Sequence, residues 1–178
     1  MLSVICAGFG GQGVLTAGLV LANVSMAGGQ QVTWVPAYGS EMRGGTASCR
    51  LRISDSEILN PFFDMADVLI AMNQESVDTM QDMVAPDGSI IVNSTMVDMN
   101  TVRAEVRVID VPATALSSEM GNPRGANIAM LGAAIAATGL FPVESFADGI
   151  DSYFDAKGRN TPLNRACFLG GASAVKGD

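Results

Sequence analysis

The chain contains no histidine. That removes every mechanism built on an imidazole base and every metal site that needs an imidazole ligand. Cysteine is scarce and scattered, at Cys6, Cys49 and Cys167, with no CxxC pair. This chain alone therefore does not supply the clustered thiolates of a zinc or iron–sulfur site, and no metal ligand set is assigned to it. An odd set of thiols inside apolar stretches predicts reduced core cysteines in a cytoplasmic protein. Lysine occurs only as Lys157 and Lys176, late in the chain, so a serine or cysteine nucleophile has no base nearby and no catalytic set can be assembled. Lys and Arg number 10 against 18 Asp and Glu, a formal net charge of −8, which argues against nucleic-acid binding and against attachment to an anionic membrane surface. Long hydrophobic runs are missing as well. The longest, residues 126–141, is interrupted by Gly and Thr and falls short of the ~20 residues a spanning helix needs. The N-terminal Met-Leu-Ser-Val-Ile has no basic region ahead of it, so no secretory signal is expected.

What is present describes one α/β domain over residues 1–178. With 48% apolar and 16% charged residues the chain is far from the disordered class. Its length is enough to bury a core without metal or disulfide staples. Short apolar runs predict strands at residues 2–7, 31–35, 47–53, 68–71, 89–92 and 106–111. Helices are predicted at 14–27 and 74–84, the latter closed by a turn at Pro86-Asp87-Gly88. Residues 56–67, which include Asn60-Pro61, predict a connecting loop. The first two strands and the helix between them read as a βαβ unit. After residue 111 the pattern turns helical, at 112–120, 127–138, 143–154 and 162–174. The whole reads as a Rossmann-like three-layer fold, with a mainly parallel sheet and a helical C-terminal third.

Three segments could carry chemistry. Gly8-Phe9-Gly10-Gly11-Gln12-Gly13 matches G-x-G-x-x-G between a predicted strand and helix, where glycines permit a tight turn and let N–H groups approach an anion. The second strand, however, continues into Pro36-Ala37-Tyr38 with no Asp or Glu for a ribose and no Arg for a 2′-phosphate, which weakens an NAD(P) site. The loop then serves either close strand–helix packing or some other phosphate-bearing ligand. The second segment is Tyr38-Gly39-Ser40-Glu41-Met42-Arg43-Gly44-Gly45-Thr46, beyond the carboxyl end of a strand, where ligands of open α/β sheets bind. Arg43 suits carboxylate or phosphate, and Glu41 either joins that site or pairs with Arg43 to shape the loop. In the third segment, Asn122 to Asn127, Asn127 is expected to cap a helix start, and Arg124 is left available to a partner.

These blocks resemble the gamma subunit of 2-oxoacid:ferredoxin oxidoreductases. The likeness runs through Gly8 to Gly18, Tyr38 to Thr46, Ile53-Ser54-Asp55 and Ile58, Asn127 to Ala133, and Asn164 to Gly170, and covers nearly the whole chain. Trp34-Val35-Pro36-Ala37-Tyr38 is most similar to the 2-oxoglutarate and branched-chain (2-oxoisovalerate) versions. The resemblance implies a subunit, inactive alone, of a complex that oxidatively decarboxylates a 2-oxoacid with coenzyme A, giving acyl-CoA, carbon dioxide and reduced ferredoxin. It also implies thiamine diphosphate, magnesium and [4Fe–4S] clusters on alpha, beta and delta partner chains. This chain would help to enclose the site and receive coenzyme A. On that reading Gly8, Gly10, Gly11, Gln12, Gly13, Tyr38, Glu41, Arg43 and Gly44 are the candidate binding residues. The alternatives are a stand-alone nucleotide-binding module and a purely structural scaffold; a homodimer of the isolated chain is compatible with all three.

Overall fold

Each apolar run of the first two-thirds of the chain becomes a strand of one sheet. The computed structural model describes residues 1–39 and 45–175. In chain order its elements are β1 (Leu2–Phe9), α1 (Val14–Ala27), β2 (Gln31–Tyr38), β3 (Thr46–Ser54), β4 (Ala66–Ala71), α2 (Gln74–Met80), β5 (Val84–Asn93), β6 (Arg107–Val111), α3 (Ala113–Glu119), α4 (Ala126–Thr138), α5 (Val143–Asp155) and α6 (Pro162–Ala174). The sheet has six strands in the order β2-β3-β1-β4-β5-β6. β1, β4, β5 and β6 run parallel, whereas β3 is antiparallel to both β1 and β2. β1 and β2 thus point the same way, as a βαβ unit requires, but β3 is inserted between them. The physical reason lies in β3 itself. Cys49, Leu51 and Ile53 alternate onto the face under α1 and are completely buried, so this strand takes the interior place. β2 is left at the edge, where Pro36, lacking an N–H, is tolerated.

The two faces of the sheet are covered unequally. Val4, Cys6, Leu51, Ile53, Val68 and Ile70 pack beneath the long helices α1, α4, α5 and α6, where Phe146 and Phe168 stack with ring centroids 5.4 Å apart. On the other face Ile5, Leu69, Ile90 and Val92 pack with Val77 of the short α2, Phe63 of the loop before β4, and Val97 and Val106 of the connection from β5 to β6. The Phe63 ring also lies beneath the Arg50 and Arg52 guanidinium groups, at 5.7 and 5.6 Å. α4 is buried along almost its whole length and meets α6 at two glycines. A Cβ on Gly132 would fall on the carbonyl oxygen of Phe168, and one on Gly171 on that of Ala129.

Two local predictions change in the structure. The helix over residues 74–84 is α2 followed by a single 3₁₀ turn at Gln81–Met83. Pro86-Asp87-Gly88 does not end an element: it lies inside β5. Ala66 pairs with Val84 and Val68 with Ser89, so residues 85–88 bulge opposite Asp67 alone.

Candidate functional site

Between β1 and α1 the chain turns through Gly10–Gly13. Gly11 (φ 106°) and Gly13 (φ 74°) adopt left-handed conformations that favour glycine. The glycines do different jobs. A Cβ on Gly8 would lie 2.6 Å from Val14 Cγ2 and 2.9 Å from Met72 Cβ, so buried Gly8 serves close packing. A Cβ on Gly11 would meet nothing within 4 Å, so Gly11 faces outward.

Gln12 braces the turn. Its Oε1 accepts from the backbone N–H of Phe9 (2.7 Å) and from Asn73 Nδ2 (3.0 Å). Asn73 in turn caps α2, its Oδ1 accepting from the N–H and hydroxyl of Ser76 at 2.9 and 2.7 Å. Both backbone N–H groups are unambiguous donors, so each amide can be oriented only one way. Gln12 Nε2 is left with no partner among the described residues.

Asn127 is not a helix cap. The N-cap of α4 is Gly125, with no side-chain cap, and Asn127 lies inside the first turn. Its Nδ2 instead donates 2.9 Å to the carbonyl oxygen of Gly13, pinning the end of the glycine turn. The reach across 114 positions carries no local signal in the sequence. The Gln12–Asn73 bond is equally invisible to local reading.

α1 begins without a side-chain cap at Gly13, so its first-turn N–H groups remain open, with the positive end of the helix dipole behind them. They face a cavity of about 430 Å³ lined by Gly10, Gly11, Val14, Thr16, Tyr38 and Ala47. Tyr38 is exposed at the end of β2. The ends of the connection from β2 to β3 are held at this cavity: the Gly39 N–H donates to Thr46 O at 2.7 Å, and the Gly10 N–H to Gly45 O at 2.9 Å. Of the nine predicted binding residues, Gly8, Gly10, Gly11, Gln12, Gly13 and Tyr38 gather at this end of the sheet. Glu41, Arg43 and Gly44 lie outside the described residues.

On the other flank of the glycine turn, over the carboxyl ends of β4 and β5, is a cavity of about 210 Å³ lined by Gln12, Met72, Met96, Thr114, Pro123 and Arg124. Sequence reasoning overlooks Thr114. Below the first cavity, Cys6 and Cys49 sit opposite each other on β1 and β3, both unoxidised and buried. Its hydrogen bond to Cys49, with burial, pushes the Cys6 thiol well above the ordinary range, so it remains neutral core. Among the described residues, no three acidic or cysteine side chains come together to hold a metal, and no helix is long and apolar enough to cross a membrane.

The sequence and the fold have known relatives. The family model "Pyruvate ferredoxin/flavodoxin oxidoreductase" matches residues 3–174. The ketoisovalerate oxidoreductase subunit VorA of Methanothermobacter marburgensis is 41% identical over 93% of this chain, although the chain spans only 35% of that relative's length. The 2-oxoglutarate synthase subunit KorC of the same organism is 36% identical over 81% of each chain. Among solved structures, the gamma subunit of a keto/oxoacid ferredoxin oxidoreductase from Geobacter sulfurreducens superposes with a TM-score of 0.80 at 26% identity, over 98% of both chains. The 2-oxoglutarate:ferredoxin oxidoreductase of Magnetococcus marinus, solved with 2-oxoglutarate, coenzyme A and succinyl-CoA bound, shares the fold with a TM-score of 0.83 at 24% identity, over 97% of this chain and 30% of that one. The chain belongs to the pyruvate ferredoxin/flavodoxin oxidoreductase family.

Proposed function

We propose that the chain is the gamma-type subunit of a cytoplasmic 2-oxoacid:ferredoxin oxidoreductase and that the cavity between its glycine turn and Tyr38 receives coenzyme A. The complex would convert a 2-oxoacid, coenzyme A and oxidised ferredoxin into acyl-CoA, carbon dioxide and reduced ferredoxin, two electrons leaving for each carboxylate lost. Thiamine diphosphate, magnesium and [4Fe–4S] clusters are assigned to the alpha, beta and delta chains. The VorA and KorC likenesses favour a branched-chain 2-oxoacid or 2-oxoglutarate as substrate.

One observation carries the assignment to coenzyme A: uncapped first-turn N–H groups of α1 line an open cavity walled by glycines that admit close approach. Phosphate oxygens suit such N–H groups. Tyr38 offers an exposed ring and a hydroxyl at the rim, and Arg43 lies in the connection whose ends are held at the cavity mouth. The bound coenzyme A of the Magnetococcus enzyme supports the same reading.

Native purification tests the assembly: chains with a thiamine motif and CxxCxxC runs should co-purify. A chain that never associates with a thiamine enzyme, or that turns over a substrate by itself, overturns the proposal.

A further inference from the structure

The polar side chains that line the smaller cavity each have a donor to offer. Gln12 is held there with its oxygen occupied by two donors, so the polar group it has left is the Nε2 amide. Thr114 is held in the same way. Asn93 Nδ2 donates to Met72 O at 3.1 Å and to Thr114 Oγ1 at 2.9 Å, while Asn93 Oδ1 accepts from the Thr114 N–H at 3.3 Å. The backbone carbonyl and N–H fix the orientation of Asn93, which makes Thr114 Oγ1 an acceptor there and leaves its own hydroxyl hydrogen unplaced. Arg124, on the same wall, has no acidic partner among the described residues and can only donate. Among the described residues no carboxylate lines the cavity, although the chain carries a net charge of −8.

The geometry points to an oxyanion site here: we propose that Gln12 Nε2, the Thr114 hydroxyl and the Arg124 guanidinium together bind a carboxylate or phosphoryl group, with Met72, Met96 and Pro123 against the organic part that bears it. Three donors match a group whose oxygens all accept, and an arginine fork adds charge-assisted bonds. A neutral alcohol or amide would leave the Arg124 charge without a counter-ion, and a cation would be repelled by it. The site lies on the opposite flank of the glycine turn from the cavity assigned to coenzyme A and does not depend on that assignment.

The full 178-residue chain, labelled with ¹⁵N, is titrated separately with inorganic phosphate and acetate while the Gln12 side-chain amide and the Arg124 Nε–H resonances are followed. Saturable shifts at both groups are expected. Gln12→Glu keeps an oxygen for Phe9 and Asn73 but replaces the free donor with a repelling charge, so it should weaken binding about tenfold or more, as should Arg124→Gln. Thr114→Ser should bind like the parent and Thr114→Val more weakly, a contrast that a merely structural role would not give. Response to phosphate alone assigns a phosphoryl group, and response to acetate alone a carboxylate. Absence of saturable shifts with both probes overturns the proposal, and so does equal affinity in folded Gln12→Glu and Arg124→Gln variants.

Discussion

Asn127 on α4 donates a 2.9 Å hydrogen bond to the carbonyl oxygen of Gly13, joining the start of a late helix to the turn after the first strand. The contact is tight in both directions, because a Cβ on Gly13 would lie 2.6 Å from Asn127 Nδ2. Gly13→Ala therefore meets two penalties, a left-handed backbone at φ 74° and a collision with that amide. Asn127→Ala loses one partly buried hydrogen bond, about 1–2 kcal/mol. In urea unfolding, Gly13→Ala should cost more than Asn127→Ala, and the double variant less than the two single costs added, because removing the amide relieves the collision. Strict additivity would show that the two residues do not act on each other.

The crossing of α4 and α6 makes a second prediction. At Gly132 and Gly171 the atoms in the way are the backbone carbonyls of Phe168 and Ala129, which cannot swing aside as a side chain can. Alanine at either position must push the helices apart, a cost of about 1–3 kcal/mol or more. Alanine at Gly29, which has open space but φ 90°, should cost only the backbone strain of about 1 kcal/mol. Thermal denaturation of the three variants checks the order.

Burial holds the Cys167 thiol above its ordinary value, against a weaker opposite effect of Asn122. A group with a raised folded-state pKa binds its proton more tightly in the native state. Its stabilisation is present below the unfolded value, about 8.5, and is lost as pH rises from there through the folded value. Stability should therefore decline in alkali, and Cys167→Ala should flatten the slope as well as shift the curve. In native protein all three thiols should react slowly with a thiol reagent at neutral pH, and quickly once denaturant is added.

Apolar runs are a local property, which is why all six strands and the late helices are visible in the order of residues alone. Which strand lies beside which is not local. The alternation of Cys49, Leu51 and Ile53 marks β3 as half-facing a core, but nothing in it says that the strand enters between β1 and β2. Pro86-Asp87-Gly88 has the composition of a turn, and the sheet absorbs it as a bulge because Val84 and Ser89 both find partners on β4. At the site the glycine turn is legible from its spacing, whereas the amides that hold it are not. Asn73 reaches Gln12 across 61 positions, and Asn93 orients Thr114 across 21. Asn127 is predicted as a cap because helix starts favour asparagine, yet one step inside the helix it is turned toward Gly13 instead.

The proposed coenzyme A cavity makes a kinetic prediction for the assembled complex. Tyr38 is 70% exposed at the rim, and its side chain makes no hydrogen bond to another described residue, so Tyr38→Ala should leave folding and assembly intact. If the ring covers part of coenzyme A, its loss should raise the KM for coenzyme A several-fold with little change in the KM for the 2-oxoacid. Arg43→Ala should raise the same KM about tenfold, the scale of one charge-assisted hydrogen bond to phosphate. Added salt should weaken coenzyme A binding to the parent more than to Arg43→Ala, because the screened interaction is already missing from the variant. Steady-state assays varying each substrate in turn separate the outcomes. A rise confined to the 2-oxoacid KM would move the cavity's role to the other substrate, and unchanged constants in both variants would leave the glycine turn as packing alone.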